Sequence, residues 1–324
     1  MKNQSELNRR EFLKQSVLVS AALGAGSSVY AGDKNNKGKT MQFKMCINPG
    51  NIGLEANQTE LLDYAIQYKY QALMPYINDL QAFDKSTLAA IAEKMQQHNI
   101  SWGSTNLPLD FRQDKKTFKE GLSALPGAAA TLERVGASRM NTWIMPTNNE
   151  LSYRENFALH ATRLKECAKI VGQKGVRLGL EYVGPKTLMA RDKFSFIRSM
   201  KEVRELIAEI DEPNVGVVLD SFHWYCANDT EADILALENK DIITVDVNDA
   251  RADLSRDDQV DNTRELPLAT GVIDLSTFMG ALAKIGYDGP IRSEPFNKKL
   301  NAMNNDDALA ANTAAMKATF ALVT

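Results

Sequence analysis

The sequence is poor in the residue types that form thiolate and imidazole metal sites. Its 324 residues include only three cysteines and three histidines. No two cysteines form a CxxC pair, so the sequence encodes neither a disulfide framework nor a thiolate zinc site. The cysteines are Cys46, Cys167 and Cys226, and the histidines are His98, His160 and His223. A metal site in this chain must therefore be built mainly from carboxylates.

The sequence also lacks a surplus of positive charge. Lysine and arginine total 38 against 41 aspartates and glutamates, which gives a net charge of −3. Proteins that bind nucleic acid carry a basic patch that neutralises phosphates, so we expect no nucleic-acid partner. With 44% hydrophobic and 24% charged residues, the composition is that of an ordinary globular protein.

The N-terminus has the features of an export signal. Arg9 and Arg10 precede an apolar stretch over 17–29, and Ala31 offers a small-residue cleavage site. The stretch is too short for a membrane span, so we expect no stable membrane insertion after cleavage. Paired arginines before Phe-Leu-Lys resemble a twin-arginine signal, which predicts the twin-arginine translocase as a partner and a periplasmic location. The predicted organisation is a signal peptide at 1–31, a polar linker at 32–40 and a folded domain at 41–324.

The rest of the chain alternates eight times between a short apolar stretch and an amphipathic one. The predicted strands are 42–47, 71–75, 100–104, 139–145, 176–183, 215–221, 242–248 and 290–295. The predicted helices are 60–68, 86–98, 118–135, 155–173, 194–210, 230–238, 275–285 and 306–322. Eight such units predict an α/β fold with a single (β/α)8 TIM barrel. A doubly wound sheet is the alternative, but no GxGxxG motif follows the first strand.

Carboxylates stand at the ends of four consecutive predicted strands. They are Glu181, Asp220, Asp246 and Glu294. In a TIM barrel, residues at the carboxyl ends of the strands meet at the active site. Carboxylates brought together raise one another's pKa, and a bound divalent cation compensates their repulsion. The pattern therefore predicts one divalent metal ion at this rim.

The segments around these carboxylates resemble a known family. They are Gly-Leu-Glu-Tyr-Val-Gly-Pro at 179–185, Leu-Asp-Ser-Phe-His at 219–223, Val-Asn-Asp-Ala at 247–250 and Ser-Glu-Pro-Phe at 293–296. These segments resemble the xylose isomerase-like TIM-barrel family, which includes sugar epimerases, inosose isomerases and dehydratases. The resemblance implies metal ligands at Glu181, Asp220 and Glu294. It also implies that His223 touches a substrate hydroxyl and that Arg264 contacts the substrate.

The sequence departs from the family pattern at Asp246, where the family has a metal-binding histidine. A site made of carboxylates favours harder ions, so among Mn, Mg, Co and Zn we expect Mn or Mg rather than Zn. Arg292 faces the same side of its strand as Glu294 and needs a negative partner inside the barrel. Asp246 is then either a fourth metal ligand or the counter-ion of Arg292. A third interpretation is a degenerate site without catalysis.

These residues predict proton transfer on a sugar. Glu181 and Glu294 would act as general base and general acid at the carbon next to a metal-bound carbonyl. His223 would orient a hydroxyl or move its proton, and Trp143 would stack on the sugar ring. We therefore expect an exported, metal-dependent sugar isomerase or epimerase that acts on a sugar or keto sugar. The alternatives are a lyase or hydratase acting on a 3-keto sugar, glycoside or inosose, and a carbohydrate-binding protein without turnover. The sequence leaves a homo-oligomer open.

Overall fold

The apolar stretches form the strands of an α/β barrel in a computed structural model that describes residues 43–323. All eight predicted strands are present, and the third is split in two. The strands are β1 (Lys44–Ile47), β2 (Ala72–Leu73), β3 (Ser101–Trp102), β4 (Thr105–Asn106), β5 (Arg139–Ile144), β6 (Thr147–Asn148), β7 (Arg177–Tyr182), β8 (Phe194–Ser195), β9 (Val215–Asp220), β10 (Ile242–Val247) and β11 (Pro290–Ser293). Nine of them pair in parallel in the order β3-β2-β1-β11-β10-β9-β7-β5-β4.

The sheet closes into a barrel at its two edge strands, β3 and β4, which follow each other directly in sequence. β3 pairs with β2 and β4 pairs with β5, while only Gly103 and Ser104 separate β3 from β4. The amide of Gly103 donates to the carbonyl of Leu73 at 2.8 Å. A Cβ atom on Gly103 would lie 2.6 Å from the Sγ atom of Cys46, so only glycine fits at this close approach. The split third strand thus closes the barrel.

Helices follow the strands and cover the outside of the barrel. They are α1 (Gln58–Tyr68), α2 (Ile77–Ala82), α3 (Lys85–Gln97), α4 (Lys115–Val135), α5 (Tyr153–Gly172), α6 (Lys186–Met189), α7 (Met200–Ile210), α8 (Ser221–Ala227), α9 (Glu231–Leu235), α10 (Leu275–Lys284), α11 (Lys298–Asn301) and α12 (Asn305–Phe320). In α7, for example, the residues Met200, Val203, Leu206 and Ile210 are buried, which is the spacing of one helix face.

One predicted helix begins in the wrong place. The prediction of a helix over 194–210 is wrong for its first residues, because β8 pairs antiparallel with β6 in a separate ribbon. Helix α7 starts instead after Ser199, whose side chain accepts a hydrogen bond from the Glu202 amide. Helix α8, which begins directly after Asp220, was not predicted from the sequence.

The predicted signal peptide and linker lie outside the described residues. Within residues 43–323, none of the helices combines the length and the apolar character needed to cross a membrane. All three cysteines are buried and unpaired.

Candidate functional site

Four strands bring their carboxylates to one end of the barrel. They belong to Glu181 on β7, Asp220 on β9, Asp246 on β10 and Glu294 directly after β11. One carboxylate oxygen from each lies within 4.8 Å of the others. The side chains of Asp220 and Asp246 are fully buried, and those of Glu181 and Glu294 are 10% and 12% exposed. The structure thus brings together all four predicted metal ligands.

Asp220 is fixed by hydrogen bonds from a backbone amide and from the side chain of Asn248. Its Oδ1 atom accepts from the Phe222 amide at 2.6 Å, which caps the first turn of α8. The Nδ2 atom of Asn248 donates to both carboxylate oxygens at 3.2 Å. The side-chain oxygen of Asn248 also accepts from the Glu294 amide at 2.7 Å. Asn248 therefore ties together two of the predicted ligands, and the sequence analysis had not assigned it a role.

Arg264 lies inside the cluster with its side chain only 1% exposed. Its Nη1 atom donates to Asp220 at 2.8 Å and to Glu294 at 3.0 Å, and its Nη2 atom donates to Asp261 at 2.9 Å. The rings of Phe222 and Phe296 lie on the guanidinium, 4.6 and 4.9 Å from it. Substrate contact by Arg264 stays a prediction, and the structure shows that its guanidinium orders the carboxylates.

The loop that carries Arg264 is held in place by Asp249. This buried carboxylate accepts hydrogen bonds from the amides of Thr270, Gly271 and Ile273 at 2.9, 2.7 and 3.0 Å. One side chain thus fixes the far end of the loop between β10 and α10.

Asp246 forms a buried ion pair with Arg292. The register places the two residues side by side on β10 and β11. The Nε and Nη2 atoms of Arg292 donate to the two oxygens of Asp246 at 2.5 and 3.0 Å. Of the two roles considered for Asp246, the counter-ion is present in the structure. A role as fourth metal ligand stays a prediction.

Glu181 has a carboxylate oxygen without a partner. Its Oε1 atom is buried and forms no hydrogen bond with the described residues. Burial raises the pKa of Glu181 well above its usual value, and the carboxylates of Glu294, Asp220 and Asp246 raise it further. Such a group is costly to bury in its charged form unless a cation or a donor approaches it.

Glu294 is held on both sides by donors. The Nδ2 atom of Asn51, in the turn after β1, donates to Oε1 at 3.0 Å, and Arg264 donates to Oε2. Burial raises the pKa of Glu294 to about 8, with Asp246 adding to the shift and Arg264 opposing it. The sequence analysis missed Asn51, although it too is a polar residue just after a barrel strand.

His223 lies on α8 and faces the cluster. Its Nδ1 atom accepts a hydrogen bond from the Gly184 amide at 3.2 Å. Its Nε2 atom lies 3.8 Å from Glu181 Oε1 and 3.2 Å from Nη2 of Arg264. Burial lowers the pKa of His223. The ring is thus placed beside the predicted catalytic carboxylate.

Trp143 stands at the mouth of the barrel next to Glu181. The two residues pair in the register of β5 and β7. Trp143 is 43% exposed, and the guanidinium of Arg112 lies 4.3 Å from its ring. Arg112 is anchored by Asp110 at 2.7 Å and by the carbonyl of Trp143. An exposed indole held in this way suits stacking on a sugar ring, as predicted for Trp143.

The donor set fits a divalent cation. The four carboxylates and Asp261 outnumber the guanidiniums of Arg264 and Arg292, so the cluster carries excess negative charge when its glutamates ionise, as they do when they bind a cation. Carboxylate oxygens accept more than one partner, and Glu181 Oε1 has none among the residues described. A cation would therefore be held by Glu181, Asp220 and Glu294, and an all-oxygen set of this kind suits hard ions.

The comparison with known families identifies the fold. The sequence matches the xylose isomerase-like TIM barrel family over residues 62–319. The chain belongs to this family. The xylose isomerase domain protein of Alicyclobacillus acidocaldarius has a similar structure, with a TM-score of 0.75, 27% identity and coverage of 86% of this chain and 99% of that one. The IOLI protein, whose crystal structure holds a zinc atom, gives a TM-score of 0.72 at 21% identity and covers 87% of this chain and 99% of that one.

The curated relatives of this xylose isomerase-like chain are enzymes. The inosose isomerase of Bacillus velezensis is 22% identical over 275 residues, covering 82% of this chain and 93% of that protein. The ketose 3-epimerase of Arthrobacter globiformis is 24% identical over 225 residues, or 68% and 71% of the two chains. The 3-dehydroshikimate dehydratase of Pseudomonas aeruginosa is 27% identical over 147 residues, which is 45% of this chain and 22% of that protein.

Proposed function

We propose that this protein is a metal-dependent sugar isomerase or epimerase that transfers a proton at the carbon next to a carbonyl group. The observation that carries the proposal is the buried, unpartnered Oε1 atom of Glu181 beside the carboxylate of Glu294. The relationship to inosose isomerases and to a ketose 3-epimerase supports a sugar or keto sugar as the substrate. The zinc atom in the IOLI protein supports a metal in this fold.

In the proposed reaction, Glu181 and Glu294 transfer the proton. A divalent ion held by Glu181, Asp220 and Glu294, with Mn or Mg preferred, would polarise the substrate carbonyl as a Lewis acid. One of the two glutamates removes the proton from the neighbouring carbon and the other returns it. Their raised pKa values suit this task, because a general acid or base works best with a pKa near the working pH. Their strands are three apart in the barrel, so they approach the ring from different sides.

The remaining side chains position the substrate. His223 orients a hydroxyl of the reacting sugar, and Trp143 packs against the ring at the mouth of the barrel. Asn248 and Arg264 keep Asp220 and Glu294 in place. Because Asp246 is paired with Arg292, this chain replaces the family histidine with an internal ion pair.

Exchange in deuterated water tests the proposal. Incubation of the Mn, Mg, Co and Zn forms with a panel of keto sugars and inososes should add one deuteron per turnover to an isomer of otherwise unchanged mass. Glu181→Gln and Glu294→Gln should each slow exchange by about 10² to 10⁴, the usual effect of losing a general acid or base. Both should also contain less metal by elemental analysis.

Glu93→Gln on α3 is the matched control and should keep both metal content and exchange. A bound sugar without exchange in any metal form would contradict the proposal and leave a carbohydrate-binding protein.

A dehydratase is the second candidate. The match to 3-dehydroshikimate dehydratase over 147 residues supports it. The same proton removal followed by loss of a hydroxyl from the adjacent carbon would release water. Mass spectrometry of the products distinguishes the two outcomes, because dehydration lowers the product mass by one water.

We also propose that the protein is exported by the twin-arginine route to the periplasm. The sequence of residues 1–31 supports this. Export of an already folded chain suits a protein that binds its metal before it crosses the membrane.

A further inference from the structure

A hollow opens at the rim of the barrel, at the same end as the carboxylate cluster. It has a volume of about 530 Å³ and lies at the carboxyl ends of β2 and β4. We call it the rim hollow. Its lining includes Asn57, Tyr76, Asn78, Asp79, Asn106 and Pro108.

The rim hollow lies between the two segments that support the proposed catalytic carboxylates. On one side, Asn51 bonds Glu294, and the same segment of chain continues to Asn57. On the other side, Asn106 pairs with Asn141 on β5 and accepts a hydrogen bond from it at 3.3 Å. Two residues further along β5 is Trp143, beside Glu181. The hollow and the carboxylates therefore lie at the same end of the barrel, the end at which the parallel strands finish.

The hollow carries polar groups that are not used inside the protein. Among the residues described, the side chain of Asn78, the hydroxyl of Tyr76 and the Nδ2 atom of Asn106 make no hydrogen bond, and Asp79 uses only one carboxylate oxygen. Planar amides and a carboxylate bond vicinal hydroxyls well, while Tyr76 and Pro108 offer apolar faces to a ring. This combination of convergent polar groups and apolar faces is typical of a small-molecule site and suits a sugar ring.

The charge of the hollow disfavours an anionic ligand. Its lining, taken from the part of the chain that the structure describes, contains Asp79 and neither lysine nor arginine. Phosphate and carboxylate groups are normally held by arginine, lysine or a helix N-terminus. The first amides of α1 are already bonded to Asn57 and Asp79, so the amides and hydroxyl of the lining suit a neutral group better than an anion. Its volume falls within the range of about 300–1,000 Å³ found for pockets that hold drug-sized ligands, which leaves room for a complete sugar ring.

We propose that the rim hollow is a subsite for a second, neutral sugar ring, so that the substrate is an unphosphorylated glycoside of two rings. This rests on the proposed function, in which the first ring is bound at Glu181 and Glu294. The unused polar groups of Asn78 and Asn106 bond hydroxyls of the second ring.

Calorimetric titration of the purified protein tests the subsite without any turnover. The probes are maltose, cellobiose and lactose, each compared with its component monosaccharides, and glucose 6-phosphate compared with glucose. At least one disaccharide should bind about tenfold tighter than its monosaccharides, a difference of 1.4 kcal/mol. Glucose 6-phosphate should bind no tighter than glucose.

The double variant Asn78→Ala/Asn106→Ala should lose this advantage and keep the affinity for the single ring. Asn239→Ala, which removes an amide near the start of β10 at the opposite end of the barrel, is the matched control and should keep it. If no disaccharide binds more than about threefold tighter than its monosaccharides, or if the double variant keeps the preference, the subsite is overturned. If the protein prefers a disaccharide through Asn78 and Asn106 but shows no deuterium exchange, the subsite is supported and the proposed chemistry is rejected. If it shows exchange but no preference for a disaccharide, the proposed chemistry is supported and the subsite is rejected.

Discussion

At the scale of single residues, one buried histidine, on a helix that packs against the barrel strands, must stay neutral. His160 on α5 is packed between Phe111 and Phe196, with ring centroids 5.0 and 4.8 Å away. Its Nδ1 atom bonds the Asn156 carbonyl at 2.8 Å, and its Nε2 atom has no partner among the residues described. Burial lowers the pKa of His160 from 6.5 to about 4. Between about pH 4 and pH 6.5, the unfolded chain therefore binds a proton at His160 that the folded chain does not bind.

This difference predicts a loss of stability in acid. His160 contributes its full stability above pH 6.5, and the contribution falls as the pH drops toward 4, by about 3 kcal/mol in total. His160→Leu should therefore flatten the fall in unfolding free energy between pH 6.5 and pH 4, measured by chemical denaturation. His98→Gln, at the exposed end of α3, is the control and should keep the slope of the parent. Equal slopes in the parent and His160→Leu would contradict the assignment.

At the scale of elements, the loop between β10 and α10 depends on Asp249. Replacing Asp249 with alanine leaves the amides of Thr270, Gly271 and Ile273 without their acceptor, and the bond from Ile273 is buried while the other two are part-buried. A buried donor without a partner costs about 1–3 kcal/mol, so Asp249→Ala should lower the unfolding free energy by at least about 2 kcal/mol. The control Asp274→Ala removes only the N-cap of α10 and should cost about 1 kcal/mol. Denaturant titration compares the two, and an equal cost would show that Asp249 does not anchor the loop.

The elements also show how much of the molecule the sequence could predict. Apolar stretches located all eight barrel strands because a buried parallel strand has a distinctive pattern. Residues at the carboxyl ends of barrel strands meet at one rim, and this rule correctly predicted that Glu181, Asp220, Asp246 and Glu294 lie close together. The ribbon of β6 and β8 was missed, since its two short strands are joined by contacts across more than forty residues. The pairing of Arg264 with Asp220 could not be predicted either, because it depends on a loop conformation that is fixed by Asp249, whose backbone pairs with that of Glu265.

At the scale of the whole molecule, the proposed export route makes a prediction about the precursor. Replacing Arg9 and Arg10 with lysine keeps the charge of the signal and removes the arginine pair. The uncleaved chain should then remain in the cytoplasm, as shown by cell fractionation and mass spectrometry. The control exchanges Lys34 and Lys37 of the predicted linker for arginine and should be exported normally. Continued processing of the lysine variant would point to the general secretory route.

The split third strand determines how the barrel responds to force. Elsewhere around the sheet, each strand is hydrogen-bonded to both neighbours, so tension in the barrel wall is shared among all the strands of the ring. Between β3 and β4 that tension passes through the covalent chain at Gly103 and Ser104, because β3 pairs only with β2 and β4 only with β5. Outward strain on the wall is therefore concentrated at this point. The ring of hydrogen bonds is interrupted there, and the next residues along the chain, Thr105 and Asn106, line the rim hollow.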